Sequence, residues 1–246
     1  MTRLAVIGLA LVALVAGVAG ALLGSPWRDE AATTAAPQTA SARPTTDDAL
    51  SIVATATGPL VTVHESPDGA VRQPLPNPLP SNAPLTFLVR EQRVGWLRVL
   101  LPLRPNGSEG WIKLADVTLN SHRFRIVVEL GAHRITVTKG DEVILQEPVG
   151  VGTADTPTPG GLYYTKELLQ PPNPNGPYGP FAYGLSGFSN VLTSFAGGEG
   201  VVGIHGTDDP SALGKDVSKG CIRMSNEGIT RLAEILPLGV PVEITP

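Results

Sequence analysis

From about residue 50 onward, apolar and polar residues alternate in short bursts with the period of a β-strand. Leu60-Val61-Thr62-Val63, Leu85-Thr86-Phe87-Leu88-Val89, Trp96-Leu97-Arg98-Val99 and Trp111-Ile112-Lys113 are such bursts. Pro and Gly clusters separate them, above all Gln73 to Pro84. Short strands joined by turns predict a small barrel or sandwich over 50–118. A second set begins at Arg123. Phe124 to Leu130, Arg134 to Thr138 and Val143 to Leu145 follow one another across tight turns and predict a meander of antiparallel hairpins. Only Ser225 to Leu236 has a helical period, with Ile229, Leu232, Ala233 and Leu236 on one face. Ser225 or Asn226 is placed to cap this helix and Pro237 to stop it, and a last strand, Val240 to Ile244, closes the domain. The pattern predicts a mostly β fold: a small β domain, then a β-rich domain with one main helix.

Ahead of the alternating region the pattern changes twice. Leu4 to Leu23 is an unbroken run of Leu, Ala, Val, Ile and Gly with Arg3 just before it and Arg28, Asp29 and Glu30 beyond it. As a helix the run would rise about 30 Å, enough to cross a bilayer. A signal peptide or membrane anchor is expected over 1–24, with a retained anchor favoured because Ala19-Gly20-Ala21 lies inside the run. Orientation by Arg3 puts the rest of the chain outside the cytoplasm. No cysteine follows the run, so lipoprotein processing is not expected. Residues 31–49, AATTAAPQTASARPTTDDA, offer no apolar face, so 25–49 reads as a flexible linker.

Composition narrows the function classes. With 28 Gly and 24 Pro among 246 residues, long helices would be interrupted repeatedly, and 16% charged residues is too few for a coiled coil. A net charge of −4 without any Lys/Arg cluster argues against a nucleic-acid partner. A single cysteine permits neither an intramolecular disulfide nor a Cys-based zinc site. His64, His122 and His133 sit in separate segments, and neither H-x-x-x-H nor C-x-x-C spacing occurs, so no metal site is expected.

The candidate chemistry lies in Val201 to Met224. An apolar strand, Val201 to Ile204, delivers His205 at its end. A turn-rich loop passes Asp208-Asp209-Pro210 and Gly214, and Ser218-Lys219-Gly220-Cys221 then places the thiol directly after a glycine. An ordinary thiol is only about 3% thiolate at pH 7, so covalent catalysis needs a base or cation beside it. His205 is the candidate base, and as an imidazolium it would lower the thiol's pKa. Gly220 permits close backbone approach, and N–H groups around Gly220 and Cys221 are placed to bind an oxyanion. Each feature also has a plainer reading: a lone cysteine as a small buried hydrophobe, a strand-end histidine as a satisfied structural residue. An unpaired thiol in an exported chain weighs toward function.

Two resemblances bear on these alternatives. The Gly-Trp pattern of Gly95-Trp96 and Gly110-Trp111, ending in Ala115-Asp116-Val117, resembles bacterial SH3-like domains of cell-envelope proteins. The run Ile204-His205-Gly206-Thr207, then Gly214, then Ser218-Lys219-Gly220-Cys221-Ile222-Arg223-Met224, resembles the signature of the L,D-transpeptidases with a YkuD-type catalytic domain. Gly152-Thr153, Thr156-Pro157-Thr158-Pro159-Gly160 and Tyr163 are similar to the family's entry to the substrate cleft. Tyr178 to Gly187 resembles the segment lining that cleft, in a form associated with actinobacterial members. The resemblance covers 121–246.

The resemblance implies cell-wall crosslinking outside the cytoplasm, with peptidoglycan stem peptides as donor and acceptor. The family acylates its cysteine with a stem tetrapeptide, releases the terminal D-Ala, and passes the acyl group to a neighbouring stem's side-chain amine, giving a 3→3 link. Such acyl-transfer chemistry needs no cofactor. Carried onto this chain, Cys221 is the nucleophile, His205 its base, and the Gly206 carbonyl the orienter of the imidazole. Ser218 and Gly220 shape the thiol loop, Arg223 meets a substrate carboxylate or braces that loop, and Tyr183 contacts substrate. Many members carry His where this chain has Lys219, so the role expected for Lys219 is electrostatic. Two other readings stay open at this point: an L,D-carboxypeptidase or endopeptidase using the same cysteine, and a catalytically idle wall-binding module.

Overall fold

A computed structural model describes residues 50–194 and 198–246. The apolar run expected as signal or anchor and the linker after it lie outside these residues. Among the described residues no helix is long and apolar enough to cross a membrane.

The first sheet has seven strands: β1 (Ser51–Ala56), β2 (Leu60–His64), β3 (Val71–Pro76), β4 (Thr86–Arg93), β5 (Trp96–Leu100), β6 (Glu109–Lys113) and β7 (Val117–His122). Their order is β3-β2-β6-β5-β4-β1-β7, and every pairing is antiparallel. The alternation puts Val61, Val63, Phe87, Leu97, Val99 and Ile112 into one core. Trp96 and Trp111 are buried packing residues: the Trp96 ring meets His64 edge-on at 4.9 Å, and Arg93 lies over Trp111 at 4.6 Å.

Two boundaries differ from the sequence reading. The Pro-rich stretch from Gln73 begins inside strand β3, where Pro74 faces Thr62 and Pro76 faces Leu60. β3 is an edge strand, where a missing N–H costs little. The break expected between 118 and 121 falls within β7, which pairs with β1 from Val117 to His122, so the first sheet runs to His122.

Ten further strands follow: β8 (Phe124–Glu129), β9 (Arg134–Lys139), β10 (Glu142–Pro148), β11 (Val151–Gly152), β12 (Gly161–Leu169), β13 (Ala182–Phe188), β14 (Val201–His205), β15 (Asp216–Ser218), β16 (Ile222–Arg223) and β17 (Pro241–Thr245). Eight of them form one sheet in the order β10-β9-β8-β17-β12-β13-β14-β16, while β11 and β15 pair with each other. Only β8 to β10 form the expected meander. β17 enters the middle of the sheet, parallel to β8 and antiparallel to β12.

The helix α1 (Asn226–Ile235) forms where the 3.6-residue period predicts it. The Ser225 hydroxyl accepts from the Gly228 N–H at 2.9 Å, closing the N-terminus. The Glu147 carboxylate accepts from the Ser225 N–H and hydroxyl at 2.9 and 3.0 Å, adding negative charge where the helix dipole favours it. Ile229 and Leu232 are fully buried against Ile204, Ile222 and Met224, so the helix packs behind the strands that carry the candidate site. Each such side chain contributes about 1.5–3 kcal/mol by leaving water. The two sheets touch through Leu88, Leu100 and Tyr164.

Candidate active site

Strand pairing brings the sequence-predicted histidine and cysteine together. β14 and β16 run parallel, with Ile204 opposite Ile222 and His205 opposite Arg223. Cys221 directly precedes β16, so the thiol arrives beside the end of β14. Both side chains line a cavity of about 480 Å³.

The imidazole is held in one tautomer. His205 Nδ1–H donates to the Gly206 carbonyl at 2.6 Å, leaving Nε2 with its lone pair. Gly206 has to be glycine here: a Cβ would strike Asn226 Oδ1, which accepts from the Thr207 N–H at 2.9 Å. Burial lowers the His205 pKa to about 4, against the raising effect of the Gly206 hydrogen bond; the Arg223 charge lowers it further. Burial pushes the Cys221 thiol up, opposed by a backbone hydrogen bond with Gly203 and by the Arg223 charge. At neutral pH both groups are therefore uncharged. This corrects the expectation that an imidazolium lowers the thiol's pKa, since burial disfavours the charged form of each partner. A neutral imidazole with a free Nε2 is instead the form that takes a proton.

Ser218 shapes the thiol loop. Its buried hydroxyl accepts from the Gly220 N–H at 3.0 Å and donates to the Cys221 carbonyl at 2.5 Å. Gly220 sits at φ +107°, which an L side chain rarely adopts. The Gly220 N–H is engaged by Ser218 and not turned to an oxyanion, which corrects that part of the sequence reading. The stretch expected at the cleft entry braces the same loop: the Ser218 carbonyl accepts from the Thr153 N–H and the Thr156 hydroxyl, both at 3.1 Å.

Lys219 and Arg223 line a second cavity, of about 280 Å³, which the thiol, His205 and Tyr178 share. Arg223 is fixed by its backbone, exchanging two 2.8 Å hydrogen bonds with Gly150, and its Nε is buried without a hydrogen-bond partner. Its charge acts on Tyr178, His205 and Cys221 alike.

Tyr183 borders the cavity of about 480 Å³, with its hydroxyl turned away from it toward α1. Its side chain is fully buried, and its hydroxyl donates to the Leu232 and Leu236 carbonyls at 3.1 and 3.2 Å. That hydroxyl ties the end of α1 to β13. The aromatic residue of the site is Tyr178, whose ring meets the His205 imidazole and borders both cavities. Its segment is Pro-rich and without periodicity, so the Pro-Tyr-Gly-Pro turn is the one signal for it in the sequence. Among the described residues, no group of three or more His, Cys, Asp or Glu is gathered as for a metal ion.

A thiol, a base with a free nitrogen and a positive charge around one cavity define a site suited to acyl transfer through sulfur. The L,D-transpeptidase catalytic domain family, YkuD, matches residues 123–244, the interval of the second sheet. A protein named as the L,D-transpeptidase YkuD of Bacillus licheniformis is 37% identical over 123 residues, 50% of this chain and 66% of that one. One named as the L,D-transpeptidase YqjB of Bacillus subtilis is 30% identical over 131 residues, 49% of this chain and 70% of that one. A solved L,D-transpeptidase from Mycobacterium smegmatis aligns with a TM-score of 0.42 at 16% identity, over 61% of this chain and 90% of the other. The chain belongs to the YkuD-type L,D-transpeptidase family. It spans just under two thirds of the length of the YkuD relatives.

Proposed function

We propose that this protein is a peptidoglycan L,D-transpeptidase acting outside the cytoplasm, held at the membrane or released by its N-terminal apolar run. The observation that carries the reading is that Cys221 and His205, whose Nδ1 is held by the Gly206 carbonyl, line one cavity. The Cys221 sulfur adds to the carbonyl between the third and fourth residues of a donor stem while its proton passes to His205 Nε2. The oxyanion takes a backbone N–H, for which Cys221 is the candidate because Ser218 holds the Gly220 N–H. His205 then returns the proton to the departing D-Ala amine, leaving a thioester on Cys221. A side-chain amine of a second stem adds to the thioester, its proton goes to His205, and the thiol leaves with a 3→3 amide formed. Lys219 and Arg223 draw stem carboxylates toward the thiol. The first sheet is read as an SH3-like domain.

Incubation of the purified protein with tetrapeptide-stem muropeptides, followed by mass spectrometry, tests this reading. Crosslinked dimers are expected. Tripeptides alone would mean an L,D-carboxypeptidase, and unchanged substrate an idle module.

A further inference from the structure

Both ends of the connection between β13 and β14 are held from the first sheet. The loop after β5 reaches across with Arg104, whose guanidinium donates to the carbonyls of Ser189 at 2.9 Å, Glu199 at 3.0 Å and Leu192 at 3.4 Å. It also lies over the Phe188 ring at 4.9 Å. Asn106 binds the same strand end: its amide nitrogen donates to the Phe188 carbonyl at 2.7 Å, and its Oδ1 accepts from the Phe188 N–H at 2.9 Å. These two bonds reproduce what a neighbouring strand would offer, while the other side of Phe188 pairs with Val201 of β14. The Ser189 N–H closes the base of the connection on the Gly200 carbonyl at 2.8 Å.

The segment held in this way is a wall of the thiol cavity. Gly198, Glu199, Gly200, Val201 and Gly203 face the space that His205 and Cys221 share. Ser189 and Leu192 border a small gap that reaches the other side of Cys221. From this gripped end β14 runs through Gly203, the thiol's backbone partner, to His205. One planar fork serves three carbonyls that diverge around it, and a lysine ammonium lacks that geometry.

We propose that Arg104 is a positioning residue for acyl transfer: the first sheet, through Arg104 and Asn106, sets the wall against which the stem peptide lies when it meets Cys221. The inference rests on Cys221 being the nucleophile. A wall displaced by about 1 Å can cost up to a hundredfold in a positioned reaction, whereas a small alkylating reagent needs no wall.

The test compares full-chain wild type, Arg104→Ala, Arg104→Lys, Asn106→Ala and Leu88→Ala. Two rates are read on Cys221: thioester formation from a tetrapeptide-stem muropeptide at graded concentrations, and alkylation by iodoacetamide. Arg104→Ala is expected to slow thioester formation about tenfold, with Arg104→Lys no better. Alkylation should stay within about twofold of wild type, because it depends on the thiolate and not on the wall. Asn106→Ala should show the same split to a smaller degree, which keeps the proposal testable if Arg104→Ala does not fold. Leu88→Ala loosens the sheet contact away from the cavity and should leave both rates near wild type. Wild-type thioester formation by Arg104→Ala, or equal slowing in Leu88→Ala, would overturn the proposal. A wild type that is alkylated but forms no thioester would overturn the functional reading and this inference together.

Discussion

The ring of Tyr178 stands edge-on to the imidazole of His205, with centroids 4.9 Å apart and planes at 61°. The Gly206 carbonyl holds Nδ1–H of the same ring, so the imidazole is fixed from two sides. Tyr178→Ala frees the ring and admits water, and is expected to slow thioester formation on Cys221 about tenfold. Tyr178→Phe keeps the edge contact and most of the rate. Time courses of intact mass distinguish the two; a wild-type rate in Tyr178→Ala would remove Tyr178 from the site.

Arg223 is the charge that favours the thiolate against burial. Arg223→Gln therefore raises the thiol pKa further, and alkylation at pH 8 should slow by roughly three- to tenfold. The whole rate-against-pH curve moves to higher pH. An unmoved curve would mean that the guanidinium has no part in activating sulfur.

His205 makes stability depend on pH. Its folded pKa of about 4 lies below the ordinary value of 6.5, so between those values the unfolded chain takes up a proton that the folded one refuses. Stability is complete above pH 6.5 and falls as pH drops toward 4, by up to about 3 kcal/mol from this group. Urea melts across that window should show the loss in wild type and a flatter profile in His205→Gln.

The two Tyr183 hydrogen bonds to α1 are structural. Tyr183→Phe should cost about 1 kcal/mol of stability and leave thioester formation within about twofold. A large loss of rate at unchanged stability would return Tyr183 to the substrate side of the cavity.

Cys221→Ala should abolish every mass adduct from muropeptide while changing stability by about 1 kcal/mol or less. An adduct that survives the substitution would place the nucleophile elsewhere.

How far the sequence carried depends on which physical signal each residue bears. The strands from Phe124 to Lys139 and the helix at Asn226 were legible because their apolar periods coincide with the face they bury. β3 was not, because Pro74 and Pro76 mark a turn unless the strand is known to be an edge, and edge position is set by pairing with distant residues. His205 and Cys221 stood out through local context, but their protonation depends on burial, which follows from α1 and β16 closing around them. Tyr178 and Tyr183 lie five residues apart in one motif, and only the three-dimensional arrangement sets the ring of one against His205 and ties the hydroxyl of the other to α1.

The place of β17 imposes an order of events on folding. Residues 241–245 bridge β8 and β12, so the two halves of the second sheet stay unjoined until that stretch has left the ribosome. The interval over which β8 and β12 wait with open edges is the interval in which the nascent chain most needs a chaperone. It is also when a protease can remove the chain before the cysteine site exists.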